Sequence, residues 1–124
     1  MSGKLIDTNI LIYLSKKEIA FEKAFSPSDK LFMSVITYME VLGYRFANKE
    51  EKYFIEGLCK HIPHIGLDSV IVEKVIQIKQ KHKIKLPDAI ILATAVIGEL
   101  DLVTVNVKDF IDIAPNLSII NPLV

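Results

Sequence analysis

The stretch Leu5-Ile6-Asp7-Thr8-Asn9 places a carboxylate directly after an apolar run, where a short buried strand is expected to end. Another acid, Asp109, follows the apolar run Leu102-Val103-Thr104-Val105 by four residues. If such acids converge, two carboxylates about 4 Å apart repel each other by roughly 4 kcal/mol at an effective dielectric constant of about 20. A fold holds such a cluster by protonating part of it or by binding cations, so the pattern indicates a metal site. The two remaining acids of the pattern are Glu40 and Asp88. They lie in Ser34-Val35-Ile36-Thr37-Tyr38-Met39-Glu40-Val41-Leu42 and Leu86-Pro87-Asp88-Ala89-Ile90-Ile91-Leu92-Ala93.

The length and composition indicate one α/β domain spanning residues 1–124. The chain has 124 residues, of which 51% are hydrophobic, and is long enough to bury a substantial core. No apolar run reaches the ~18 residues that a transmembrane helix needs. The N-terminal residues Met1-Ser2-Gly3-Lys4-Leu5 lack the apolar stretch of a signal peptide. Because the single cysteine, Cys59, excludes an internal disulfide framework, we expect a cytoplasmic protein without membrane association.

The charge balance argues against a protein that coats nucleic acid non-specifically. The 15 basic and 15 acidic residues give a net charge of zero, whereas non-specific binding depends on neutralising phosphates. Residues 74–85 are the exception, because they carry five lysines and His82 but no acid. This segment is either a solvated helix face leading into a loop or a phosphate-steering patch that runs into Asp88. The three histidines show no zinc-binding spacing and are interpreted as structural or surface residues.

Apolar strands and helices alternate along the chain, which predicts a parallel sheet covered by helices. In open α/β sheets, ligands bind beyond the carboxyl ends of the strands, so all four acids can face one edge of the sheet. Strands are expected at residues 4–6, 31–36, 64–67, 102–105 and 117–120, the last of them at a sheet edge. Helices are expected at residues 9–15, 21–25, 37–46, 50–62, 68–81 and 88–99.

Each acid also has an ordinary structural interpretation. Asp7 could cap the next helix, but Thr8 or Asn9 could do so as well, which makes capping the weaker explanation. Thr37-x-x-Glu40 fits the capping-box pattern, so local sequence favours a capping role for Glu40. Asp88 follows Pro87 and opens a helix that is apolar almost all round. A carboxylate at the mouth of a buried helix needs a partner, and we favour a metal over a basic side chain.

The polar residues after the fourth strand leave structural and functional roles open. Asp109 could cap a short helix containing Phe110, and Asn106 could hold a metal-bound water by hydrogen bonding. Four further hydroxyl groups are expected near the same sheet edge and are interpreted as helix caps or turn formers. They belong to Thr8, Ser34, Thr37 and Thr104.

Taken in order, these segments resemble the PIN domain family and, within it, the VapC-type toxins of bacterial and archaeal toxin–antitoxin systems. The resemblance covers essentially the whole chain, and its specificity comes from the ordered set rather than from any single piece. The matching pieces are Leu5-Ile6-Asp7-Thr8-Asn9, Ser34-x-x-Thr37-x-x-Glu40-Val41-Leu42-Gly43, Leu86-Pro87-Asp88-Ala89-x-x-x-Ala93 and Val103-Thr104-x-Asn106-x-x-Asp109-Phe110.

The resemblance implies a three-layer α/β/α sandwich with a central, mainly parallel sheet. It further implies a Mg2+- or Mn2+-dependent endoribonuclease that cleaves RNA through metal-activated water, usually as a homodimer inhibited by a cognate antitoxin. Asp7 and Asp88 would be the central metal ligands, and Glu40 the third, directly or through water. The catalytic set would be completed by Asp109 and supported by Thr8, Asn9, Thr104 and Asn106.

The sequence departs from the family pattern at two positions, which keeps an alternative open. The family's fourth acid often falls where Asn106 stands, and an arginine is common at the position of Val105. These departures leave a second metal position undecided and allow a non-catalytic PIN-like module that binds RNA or protein. A phospho-receiver or phosphotransferase domain is less favoured. Its pattern needs two adjacent acids after the first strand, or Asp-x-Asp, and Asp7-Thr8-Asn9 has neither.

Overall fold

In a computed structural model, which describes residues 3–123, one or two helices separate each strand from the next. The prediction about the N-terminus includes Met1 and Ser2, which lie outside these residues. The strands of the described range are β1 (Gly3–Ile6), β2 (Lys30–Ser34), β3 (His64–Ile65), β4 (Asp101–Val103) and β5 (Ile119–Ile120). Its helices are α1 (Thr8–Ser15), α2 (Phe21–Ala24), α3 (Val35–Leu42), α4 (Lys49–His61), α5 (Ser69–Lys81), α6 (Leu86–Gly98) and α7 (Val107–Ile111).

The five strands form one parallel sheet in the order β3-β2-β1-β4-β5. The chain builds outward from β1 to β3, crosses back to β4 on the other side of β1, and ends with β5 at the edge. The expected parallel sheet and the expected edge position of the last strand are both confirmed. The strand order reverses between β1 and β4, which is the position where open α/β sheets bind their ligands.

Helices cover both faces of the sheet. Successive strand residues point to opposite faces, so Leu5 of β1 lies in one core cluster and Ile6 in the other. The first cluster contains apolar residues of α5 and α6 together with Phe110 of α7. The second contains residues of α1, Val41 of α3 and Ile55 of α4. Crossovers in opposite directions place their helices on opposite faces. The expected three-layer α/β/α sandwich is therefore confirmed.

Helix α6, which carries Asp88, is largely buried. Its residues 89–95 are all buried, which confirms the prediction from its apolar sequence. The helix begins at Leu86 rather than at Asp88, so Asp88 lies within its first turn, after Pro87. It ends at Gly98, and Glu99 caps it in the left-handed conformation with φ 53°.

The predicted start of α3 is wrong, and with it the capping box. The helix begins at Val35, and the hydroxyl of Ser34 accepts a hydrogen bond from the Ile36 amide at 3.1 Å. Glu40 therefore lies in the second turn and is not the capping partner of Thr37. The β-branched residues Val35 and Ile36 favoured a strand, but Ser34 already ends β2 and supplies the cap. The helix also ends earlier than predicted, at Leu42 instead of Phe46.

β2 has five residues where six were predicted, and three further strands are also shorter than predicted. β4 ends at Val103, which leaves Thr104 beyond the strand, and β3 and β5 have two residues each. Within residues 3–123, no helix combines the length and the apolar character needed to cross a bilayer.

Candidate metal centre

Asp7 lies at the reversal of strand order, directly beyond the carboxyl end of β1. Its amide donates to the carbonyl of Val103 at 2.9 Å, which continues the pairing of β1 with β4. Its side chain is only 3% exposed, and Oδ1 accepts from the Thr8 amide at 2.7 Å as the N-cap of α1. Capping is therefore a real role of Asp7, although the sequence made it the weaker explanation. Capping occupies Oδ1, so it does not exclude a second role for the carboxylate.

The other carboxylate oxygen of Asp7 is held by side chains. Oδ2 accepts from the hydroxyl of Thr104 at 2.7 Å and from the Asn9 amide nitrogen at 3.3 Å. Thr104 is fully buried, and its oxygen accepts in turn from the Asn106 backbone amide at 3.0 Å. The structure thus brings Thr8, Asn9, Thr104 and Asn106 to Asp7, directly or through one further residue. These contacts fix the orientation of the carboxylate before any ligand is bound.

Thr8 links the first two acids. Its backbone amide binds Asp7, and its hydroxyl donates to Glu40 Oε1 at 2.7 Å. Glu40 is exposed, so this contact is what directs its carboxylate toward Asp7 instead of leaving it to sample solvent.

Like charges and burial act together on the pKa values of two acids. The pKa of Asp7 is raised by burial above all and further by the charges of Asp88 and Glu40, against the hydrogen bonds from Thr104 and Thr8. The pKa of Asp88 is raised by burial first, then by the charges of Glu40 and Asp109, while Lys85 opposes the rise. All four predicted acids therefore act on one electrostatic site, as the sheet topology predicted.

Asp109 and Asn106 lie at the start of α7. Asp109 is exposed inside the first turn, and Asn106 occupies the N-cap position without a side-chain capping bond. The suggestion that Asp109 caps this helix is therefore wrong. Its carboxylate is free of that role, and its charge acts on Asp88.

The donor chemistry at this site fits a hard divalent cation. Within residues 3–123, neither lysine nor arginine forms an ion pair with any of the four acids, and Asn9 Oδ1 is buried without a hydrogen-bond partner. In the same range, no three Asp, Glu, His or Cys side chains lie close enough to form a closed metal site. Mg2+ is usually held by one or two carboxylates and keeps several waters, so a closed cluster is not required. Carboxylate and amide oxygens are its preferred donors, as they are for Mn2+.

Sequence reasoning missed the part that Thr37 plays at this site. Thr37 is fully buried, and its hydroxyl lies 3.0 Å from that of Thr8. The signal in the sequence was its position three residues before Glu40, which places both side chains on one helix face.

A cleft of about 620 Å³ lies elsewhere, between α5, α6 and the segment 113–118. None of the four acids lines it, so it is separate from the candidate metal centre. Two lysines of the basic segment, Lys74 and Lys81, line this cleft. A third, Lys79, donates to the Ile84 carbonyl. The lysines of the basic segment therefore do not share one surface. The two nearest to Asp88 in the sequence, Lys83 and Lys85, are exposed, and the charge of Lys85 acts on Asp88.

The chain belongs to the PIN domain family, whose sequence profile matches residues 4–115. A chain in a toxin–antitoxin complex from Klebsiella pneumoniae is 35% identical, with a TM-score of 0.72 over 96% of this chain and 97% of that one. A chain of VapBC-1 from nontypeable Haemophilus influenzae is 29% identical, with a TM-score of 0.74 over 100% of both chains. DNA-bound VapBC from Salmonella typhimurium shares the fold, with a TM-score of 0.81 at 22% identity over 98% of this chain and 99% of that one.

These similarities confirm the predicted resemblance to VapC-type PIN domains. None of the curated proteins compared with the chain matches it significantly.

Proposed function

We propose that this chain is a single PIN domain, residues 1–124, that acts as a Mg2+- or Mn2+-dependent endoribonuclease. The observation that carries the proposal is the environment of Asp7. Its carboxylate is buried beyond the carboxyl ends of β1 and β4, and the charges of Asp88 and Glu40 act on it. No cationic side chain within residues 3–123 is paired with it. An anionic site of this kind is stable at neutral pH when it binds a cation.

Asp7 and Asp88 would hold the ion, Glu40 would bind it directly or through a water molecule, and Asp109 would complete the catalytic set from the start of α7. When bound, the divalent ion supplies positive charge at the scissile phosphate and acidifies a water molecule for in-line attack. Asn106 brings no charge to the position two residues after Thr104, so the negative charge of the site comes from the four acids.

The protein's own contribution is to orient the acids and admit the substrate. Thr104 and Asn9 fix Asp7 from the buried side, so its carboxylate does not need to reorient during the reaction. Glu40 and Asp109 are exposed, so the site is accessible to an RNA backbone. Exposed Lys83 and Lys85 add positive charge on the approach to Asp88 and would attract phosphates.

We also propose that the chain is the toxin of a type II pair, cytoplasmic, homodimeric and bound by a cognate antitoxin. The support is the 35% identity to a chain in a toxin–antitoxin complex. Large apolar side chains on α3 and α4 are exposed, as expected for a surface that binds another protein. They include Met39, 55% exposed, and Tyr53, 65% exposed. Light scattering of the chain alone tests the homodimer. Light scattering of the chain co-expressed with its genomic neighbour tests binding of the antitoxin.

Cleavage of RNA by purified protein tests the catalytic proposal. With Mn2+ and a mixture of transfer and messenger RNAs, the wild type is expected to cut internally, and EDTA should stop cleavage. Asp7→Asn and Asp88→Asn should lose at least about 100-fold in rate, because removing one electrostatic contributor in comparable sites has effects of this size. Glu73→Gln, which removes an exposed acid on α5, is the matched control and should cut like the wild type. Equal cleavage by Asp7→Asn would contradict the proposal.

The second candidate is a PIN-like module that binds RNA or protein without cutting. It is favoured by the absence, within residues 3–123, of a closed cluster of metal-binding side chains, and by Val105 and Asn106 at the departing positions. Under this alternative, RNA binding would persist in EDTA and in Asp7→Asn.

A further inference from the structure

A hydroxyl relay connects the buried core to the exposed acid of the candidate metal centre. Thr37 is 0% exposed in the interior of α3, and its Oγ1 lies 3.0 Å from Thr8 Oγ1. The hydroxyl of Thr8 lies in turn 2.7 Å from Glu40 Oε1. We propose that Thr37 is a positioning residue, which holds Glu40 in place through Thr8. The consequence for metal binding rests on the function proposed above.

The direction of the relay follows from the number of protons. An ionised carboxylate only accepts hydrogen bonds, and the hydroxyl of Thr8 has a single proton to donate. Glu40 Oε1 at 2.7 Å and Thr37 Oγ1 at 3.0 Å are both placed to accept this proton. Because the closer and charged carboxylate takes it, the contact between the two threonines is kept when Thr37 donates to Thr8. A buried hydroxyl without a partner is unfavourable, so Thr37 keeps this orientation. Each bond then polarises the next, which strengthens the bond that reaches Glu40.

The relay matters because Thr8 contacts two acids at once. Its amide binds Asp7 Oδ1 at 2.7 Å, and its hydroxyl binds Glu40. The orientation of the Thr8 side chain therefore sets the position of one carboxylate relative to the other. A free glutamate on an exposed helix face samples several rotamers and loses that freedom when it is held. Without the hydroxyl of Thr37, Thr8 can turn to another staggered rotamer and release Glu40.

The mobility of the Glu40 side chain in the metal-free protein tests the relay directly. Thr37→Val keeps the branched shape but removes the hydroxyl, whereas Thr37→Ser keeps the hydroxyl. Carbon-13 relaxation of the Glu40 methylene groups should show restricted motion in the wild type and in Thr37→Ser, and rotamer averaging in Thr37→Val. Thr94→Val, which removes a buried hydroxyl from α6, is the matched control and should leave Glu40 restricted. Restricted motion of Glu40 in a folded Thr37→Val protein would overturn the proposal.

Mn2+ affinity separates this role from a general structural one. Thr37→Val should weaken Mn2+ binding about fivefold, the effect of losing one neutral hydrogen bond, and Thr37→Ser should restore it. In a Glu40→Ala background, Thr37→Val should have no further effect, because the two changes act on the same interaction. An equal additional loss in that background would overturn the route through Glu40. If the wild type binds no Mn2+, the proposed function fails, and the relaxation data still decide whether Thr37 positions Glu40.

Discussion

Thr104→Val removes the hydroxyl that holds Asp7 while keeping the shape of the side chain. The lost hydroxyl donates to Asp7 Oδ2 at 2.7 Å, and its oxygen accepts from the Asn106 amide at 3.0 Å. Both Thr104 and Asp7 are buried, so water cannot readily replace the bond to the carboxylate. Since valine is also β-branched, no large cavity forms, and the measured effect reports the hydrogen bonds.

The expected loss of stability is about 2–3 kcal/mol at neutral pH without metal. A hydrogen bond to a charged group contributes about 1.5–3 kcal/mol, and a neutral one about 1 kcal/mol. The second bond counts for less here, because Asn106 is exposed and water can take the place of the hydroxyl.

Thr94→Val is the control for removing a buried threonine hydroxyl. Thr94 Oγ1 donates to the Ile90 carbonyl at 2.7 Å within α6. In a regular helix that carbonyl also accepts the backbone bond from position 94, so valine leaves no unpaired group and should cost less than about 1 kcal/mol. Urea unfolding at pH 7 in EDTA measures both variants. The difference in stability loss between the two variants should shrink near about pH 4. The pKa of Asp7 is raised, and removing the hydroxyl costs less stability when the carboxyl is neutral. If Thr104→Val costs no more than Thr94→Val at pH 7, the hydroxyl does not hold a buried charge.

Three further predictions concern stability. The native pKa of Asp7 is raised above 3.8, so the native state binds more protons than the unfolded chain, and this contribution to stability is lost as pH rises through the native pKa. The stability of Asp7→Asn relative to wild type, measured by urea unfolding in EDTA, should therefore rise with pH. A stability difference that does not change with pH would contradict the raised pKa. Glu99→Gly should stabilise the protein by about 0.5–1 kcal/mol, because glycine adopts the left-handed cap of α6 without strain; a lower thermal midpoint would contradict this. Phe110→Ala should destabilise by about 3–5 kcal/mol, because Phe110 is 0% exposed in the core under α7; a loss below about 1 kcal/mol in urea unfolding would show that α7 is not anchored there.

The sequence was sufficient to predict the order of the strands and helices and the edge of the sheet at which the acids meet. Apolar strands separated by helices require a parallel sheet, and Asp7 follows β1 in the chain itself. Local pattern was insufficient at α3. There Val35 and Ile36 have strand-like side chains, but the cap supplied by Ser34 and the packing of Val41 make them helical.

The contacts that orient the acids could not be derived from local sequence. Thr104 and Asp7 are 97 positions apart, and Thr8 and Glu40 are 32 apart. Each pair meets only because β4 lies beside β1 and because α1 packs near α3. A periodicity argument fixes which face of an element is buried, but it does not fix which strand becomes its neighbour.

The central claim is that Asp7 and Asp88 form a divalent-cation site, and calorimetric titration of Mn2+ into the folded protein tests it most directly. This measurement does not depend on choosing the right RNA. The wild type and the control Glu73→Gln should bind Mn2+ saturably. A folded Asp7→Asn/Asp88→Asn protein should show no saturable binding. Equal binding by the double variant, or no binding by the wild type, would contradict the account.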